Sequence, residues 1–408
     1  MKNSMVYCEL EADKSSQIIQ RSDCVKILIL TAATGGGHMR AAHALESYSK
    51  SYAPKDKVVV LDALKTIGPL MDHTCCDGYK FLCKRVPKAF GTLYRATNKE
   101  SPMQGMMFRI NYQNCGRLVP AIRSIHPDVI LSTHPFATEM VSEMKERGYH
   151  IPLLCLMTDY GPHQAWIAPN VDSYIVSNED MVPQMEKMGV PPEIIFPYGI
   201  PVTESFFQEG DKAALREKFG LAPDKPTILF MAGSFGVTNI ISIYEDLCEL
   251  NLDFQVIVIT GRNEKLYHEF EDAVQESGKK TRLVFFTNEV QNYMHASDLI
   301  ITKPGGLTVS ESLASNLPLA VFDAIPGQEE DNAAFLQNHH MAVRLDQHED
   351  TAQVIAELLE NPEKLEQMRC ACEAFDKSQS AQNIFMLMHS LYARYFPERA
   401  GSSEQKKS

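Results

Sequence analysis

Short apolar runs alternate with amphipathic stretches along most of this chain. The runs are continuously hydrophobic, as strands covered on both faces require. They fall at residues 25–30, 57–61, 128–132, 152–157 and 173–177, and begin again at 227–231, 255–260, 282–286, 298–302 and 319–322. Helical periodicity fills the gaps, so the pattern reads as β-α-β alternation carried through twice. The break falls near Tyr198-Gly199-Ile200-Pro201. A chain of 408 residues is too long for one ordinary core. The expectation is α/β with two doubly wound, Rossmann-like domains, at 25–200 and 201–375. A tail at 1–24, a helix at 376–397 and a polar tail at 398–408 complete the division.

Composition narrows this picture. A hydrophobic fraction of 44% is that of a folded chain, and no apolar run approaches the roughly 18 to 20 residues of a spanning helix. Residues 1–23 carry Glu9, Glu11, Asp13 and Lys14 with no apolar centre, so no secretory signal is expected there. The ten cysteines show no paired Cys-x-x-Cys or Cys/His metal spacing. They read as reduced thiols in a cytoplasmic protein.

Charge changes the picture more. The net charge of −13 argues against nucleic-acid binding. Between Lys80 and Arg123, however, nine basic residues face the single acid Glu100, interleaved with aromatics and methionines. That composition suits an element lying on an anionic bilayer, with Lys84, Arg85, Lys88, Phe90, Tyr94 and Arg95 meeting the surface. The competing reading is a solvated helix pair with ordinary core aromatics.

Three glycine turns carry the candidate chemistry. Lys303-Pro304-Gly305-Gly306-Leu307-Thr308-Val309-Ser310-Glu311 follows the run 298–302 and opens a helix, where free N–H groups and the helix's positive end can hold a phosphate. Gly305 and Gly306 are expected to use positive φ and allow close backbone approach. Glu311 would accept hydrogen bonds from a ribose. A second polar cluster, Gln328, Glu329 and Asn332 after Pro326-Gly327, opens the next helix within reach of sugar hydroxyls. The turn holding Gly233, Ser234 and Gly236 would face the same crevice and bind a pyrophosphate. No Asp-x-Asp occurs, so no metal-holding carboxylate pair is expected.

In the first half, Thr34-Gly35-Gly36-Gly37-His38 turns from a strand into a helix. Contiguous glycines fit neither a Walker A loop nor a dinucleotide fingerprint. His38 is a candidate general base, with helix capping as the plainer alternative. Asp159, at the carboxyl end of the run 152–157, competes for that role or caps the next turn. His134 is either an acceptor contact or a cap. Trp166, the only tryptophan, either packs or stacks on a sugar.

The two segments around Gly305 and Gln328 resemble the donor half of the diacylglycerol glycosyltransferases, the group of plant monogalactosyldiacylglycerol synthases and Gram-positive processive diacylglycerol glucosyltransferases. The resemblance extends from about residue 25 to about residue 396. It implies a GT-B fold with a UDP-sugar held by the second domain through the residues already named, together with Thr308 and Lys303. Val290 would lie near the uracil, and Gly36 and Gly37 near the acceptor. The C-terminal helix would cross back to the first domain. The implied reaction is inverting transfer of glucose or galactose from the UDP-sugar, a co-substrate rather than a cofactor, to diacylglycerol or a glycosyl-diacylglycerol. The enzyme would act at the cytoplasmic membrane face. Two rivals are a UDP-N-acetylglucosamine 2-epimerase-like enzyme, which needs no lipid surface, and a non-catalytic nucleotide-sugar sensor.

Overall fold

Each of the apolar runs forms a strand, and the strands assemble into two parallel sheets. The computed structural model describes residues 24–33, 36–68, 87–98, 115–208, 210–231, 239–348 and 350–400. The first sheet has the order β2-β1-β3-β4-β5-β6, from β1 (Lys26–Thr31), β2 (Lys57–Asp62), β3 (Val129–Ser132), β4 (Leu153–Leu156), β5 (Ser173–Ile175) and β6 (Ile195–Phe196). The second has the order β12-β11-β10-β7-β8-β9, from β7 (Thr227–Met231), β8 (Gln255–Ile259), β9 (Thr281–Val284), β10 (Leu299–Thr302), β11 (Leu319–Val321) and β12 (Ala342–Arg344). Two strands, β6 and β12, were not foreshadowed by the apolar pattern. Both are short edge strands, with too few residues to make a run.

In parallel sheets of this kind, side chains and loops at the carboxyl ends of the strands surround the ligand crevice. The central strands β1, β3, β4 and β10 are almost wholly buried. They fix where those ends lie. A single apolar cluster runs through both domains, joining Ala41, Leu45 and Leu156 of the first to Leu307, Val309 and Leu336 of the second. The helix Ser380–Tyr395 packs on the first domain: Phe385 meets Tyr48 at 5.1 Å between ring centroids, and His389 Nε2 lies 2.7 Å from Asp56 Oδ2. Among the described residues no helix is long and apolar enough to cross a membrane.

Candidate active site

The first domain's wall is built from strand ends far apart in sequence. After β1, Gly36 caps the helix Gly37–Tyr52 with φ 80°, and His38 becomes its second residue. His38 is no cap. Its Nδ1 lies 2.7 Å from Thr133 O and 2.9 Å from Thr158 Oγ1. Because a carbonyl only accepts, Nδ1 carries the proton and Nε2 keeps the lone pair. Loss of solvation pushes the His38 pKa down to about 4, against the opposing pull of the Thr133 hydrogen bond.

His134 stands edge-on to His38 at 4.8 Å. It also caps the helix Pro135–Glu146, its Nδ1 accepting from Phe136 N–H at 3.3 Å. Proline at the first helical position and a polar cap before it explain why the helix starts there. Trp166 is buried, 6.0 Å from the His38 ring, and serves as packing under this wall.

The second domain's wall is one continuous stretch. β10 ends at Thr302, and the helix Gly306–Ala314 follows the Lys303–Gly305 turn. The expected left-handed glycines are not found here: Gly305 has φ −72°, and Gly306 is likewise outside the positive-φ set. What Gly306 supplies is the absence of a side chain. A β-carbon there would lie 2.0 Å from Thr158 O. The close approach is therefore between the two domains. The positive-φ glycine of this wall is Gly327 at 106°, before the helix Gln328–Asn338, where a β-carbon would strike the Tyr94 ring at 2.6 Å.

Most of the remaining donor candidates gather around this turn. Lys303 Nζ is 3.1 Å from Asp323 Oδ2, so its charge is balanced within its own domain. Glu329 Oε2 accepts from Ile325 N–H at 2.8 Å, and Oε1 points toward Gly305. Burial raises the Glu329 pKa to about 7. Asn332, fully buried, accepts from Tyr160 N–H at 2.7 Å and donates to Pro304 O at 2.9 Å. Its amide thus spans the domain boundary and ties the two loops together. Gln328, Thr308 and Val290 are half-buried at the starts of their helices.

Asp159 sits where the walls meet. Asn332 Nδ2 approaches its Oδ1 at 3.4 Å, and burial, reinforced by Asp331, lifts its pKa to about 6 despite that contact. Tyr160 and Ser310 share a hydrogen bond at 2.9 Å just behind it. Glu311 is met by Arg40 of the first domain, whose Nη1 stands 2.9 Å from both carboxylate oxygens.

Arg40, Thr158 and Tyr160 were not anticipated. For Arg40 a signal existed: a cation in the first turn of a helix opposes the helix dipole, so it needs a partner from elsewhere. The Gly233, Ser234 and Gly236 turn and Lys84 and Arg85 lie outside the described residues, as do the side chains of Lys88 and Phe90. Of the surface set, Arg95 is exposed near Glu330. Tyr94 is half-buried: its ring packs 4.1 Å from His163 and against Gly327, and its carbonyl accepts from His163 Nε2.

Two parallel six-stranded sheets whose carboxyl-end loops meet, with a helix returning to the first, make this a GT-B fold. The MurG of Acinetobacter baumannii has it, with a TM-score of 0.61 over 90% of this chain and 99% of that one at 14% identity. So does a UDP-GlcNAc 2-epimerase from Neisseria meningitidis, with a TM-score of 0.55 over 89% and 99% at 15% identity. Residues 38–202 match the monogalactosyldiacylglycerol (MGDG) synthase family model, and residues 227–384 match the glycosyltransferase family 28 C-terminal domain. A processive diacylglycerol beta-glucosyltransferase of Bacillus pumilus is 30% identical over 365 residues, 88% of this chain and 93% of the relative. One of Staphylococcus carnosus is 30% identical over 348 residues, 84% and 87%. The chain belongs to the diacylglycerol glycosyltransferase family, and is a glycosyltransferase.

Proposed function

We propose that the protein transfers a hexose from a UDP-sugar, glucose or galactose, to diacylglycerol or a glycosyl-diacylglycerol, with inversion at the anomeric carbon and no cofactor. The observation that carries this reading is the contact of Thr158 and Asp159, at the end of β4, with the Gly306 turn after β10. It brings a candidate base from the first domain against the candidate phosphate cradle of the second. The helix N-terminus at Gly306 favours the charge that develops on departing UDP. Gly305, Lys303 and Glu329 line the same turn.

Asp159 is the better base of the two. A base works best when its conjugate acid has a pKa just below the working pH, and about 6 meets that condition where about 4 does not. In this reading the acceptor hydroxyl turns its proton to Asp159, which takes it as UDP leaves, and neutral His38 borders the acceptor with its Nδ1 proton committed to Thr133 O. The basic segment, with Lys84, Arg85, Lys88 and Arg95, would hold the enzyme to the anionic membrane face where the acceptor resides.

The test is incubation with UDP-glucose or UDP-galactose and diacylglycerol liposomes, followed by lipid chromatography. A new glycolipid supports the reading. Free N-acetylmannosamine products from UDP-N-acetylglucosamine, or binding without turnover, would favour the epimerase-like or sensor alternatives. The two sequence relatives described above, both transferases by name, weigh against the epimerase, which is similar in fold alone.

A further inference from the structure

Arg40 stands on the first domain but is engaged by the second. Its Nη1 straddles the Glu311 carboxylate, 2.9 Å from each oxygen. The two side chains differ in exposure, 47% for Arg40 against 6% for Glu311. A carboxylate so far from water stays ionised only when a cation or several donors compensate it. The structure supplies that cation across the cleft. A single nitrogen shared by both oxygens also leaves each oxygen a lone pair for another donor.

The surroundings make the charge of Glu311 depend on this one contact. Ser310 and Ser312, beside it on its own helix, are neutral. Tyr160, bonded to Ser310, has its phenol pushed well up by burial. His38, two residues before Arg40, is held neutral near pH 7. Burial raises the Glu311 pKa, and Arg40 is what lowers it.

We propose that Arg40 is a positioning residue for the donor: it holds the Glu311 carboxylate in place to receive the ribose hydroxyls of a nucleoside diphosphate, so the donor site is completed by the opposite domain. The proposal rests on the reading of Glu311 as the ribose acceptor. Its consequence is a coupling between donor affinity and domain geometry. A cleft that opens separates Arg40 from Glu311 and weakens the hold on UDP, which favours product release; by reciprocity, bound UDP favours the closed pair.

The probe is UDP, titrated by calorimetry between about pH 5.5 and 8.5. Arg40→Met should bind UDP about 10-fold more weakly than the unaltered protein at pH 7, the scale of a charge-assisted contact. Its affinity should fall further as pH drops, because Glu311 without Arg40 takes up a proton at higher pH. UDP's own phosphate titrates near pH 6. The comparison is therefore with Arg40→Met combined with Glu311→Gln, which keeps the ligand's titration but should lose the extra fall. Arg40→Lys should restore most of the affinity and, should Arg40→Met not fold, carries the test at about 3-fold weaker binding. Unchanged or tighter UDP binding in Arg40→Met, with Glu311→Ala weakened, overturns the proposal while sparing the ribose reading. Unchanged binding in Glu311→Ala overturns both.

Discussion

The two walls of the cleft are made by opposite strategies. In the second domain, Lys303, Gly306, Glu311, Glu329 and Asn332 lie within a single stretch of chain, two strand-to-helix turns in succession. In the first, His38 meets Thr133 across a separation of 95 residues and Thr158 across 120. A nucleotide is a fixed shape with phosphates, for which backbone N–H groups at one turn suffice. A lipid hydroxyl offers little to grip, and on the proposed reading the candidates that would meet it, His38 and Asp159, come from several strand ends. The difference teaches that one motif holds the donor candidates together, whereas the acceptor candidates are each visible in sequence but only the fold brings them to one place.

The sharpest way to break this comparison is to remove the proposed base. Asp159→Asn should lower turnover by about 10²- to 10⁴-fold with UDP affinity nearly unchanged. The sign of the pH dependence follows from its raised pKa: a base must be unprotonated, so turnover should fall as pH drops through about 6, and that limb should vanish in the variant. A limb near 4, with His38→Ala the more damaging change, would give the role to His38.

How far the sequence could be read follows the same division. Every long strand was visible as an apolar run: the central ones are covered on both faces and have no polar positions to disguise them, while the partly exposed edge strands β2 and β9 still keep apolar stretches. β6 and β12 were not, since an edge strand of two or three residues leaves no pattern. Glu311 and Glu329 stood out by their spacing behind glycines, but their partners, Arg40 and Ile325 N–H, did not. Of the two uses expected of Gly306, positive φ is absent, while close backbone approach is present, made by Thr158 O of the other domain. Asn332 was expected within reach of sugar hydroxyls, but its tie to Tyr160 and Pro304 belongs to the tertiary fold. Tyr94 was placed with its basic neighbours at a membrane surface; its contact with Gly327 of the other domain has no local signature.

The next effect in size concerns the surface that would bring the first wall to its substrate. Reversing charge at Lys84, Arg85 and Lys88 should cut sedimentation with anionic liposomes by about 100-fold at low salt, since each basic group near such a surface is worth on the order of 1 kcal/mol. Activity on a liposomal acceptor should fall far more than on a short-chain soluble one. Salt should mimic the change. Equal loss on both acceptors would place the segment in the fold or the acceptor pocket.

On the donor side the corresponding change is smaller. Glu311→Ala should weaken UDP binding by about 1.5 to 3 kcal/mol, the range for a hydrogen bond to a charged group. Calorimetry on the folded variant decides it. The acceptor KM should stay as it is, and a shift there instead would mean that the two walls are not as separate as their sequences suggest.

The smallest expected effect is that of chelation. Activity in EDTA should remain within about twofold of the untreated enzyme, because the chain has no Asp-x-Asp and its candidate phosphate cradle is a helix N-terminus, which stabilises an anion without a metal. The prediction is exposed to a specific failure. Asp159, Glu329 and Asp331 are acids of raised pKa near the donor turn, and Asp159 raises Glu329 by its charge. A divalent cation would relieve that repulsion and pull these pKa values back down. If EDTA abolishes turnover and Mg²⁺ or Mn²⁺ restores it, those carboxylates become the first residues to test. Asp159 would then be a ligand rather than the base, and its acidic limb in the pH profile would shift with metal concentration. Turnover that survives chelation with the limb still near 6 leaves Asp159 free to take the proton.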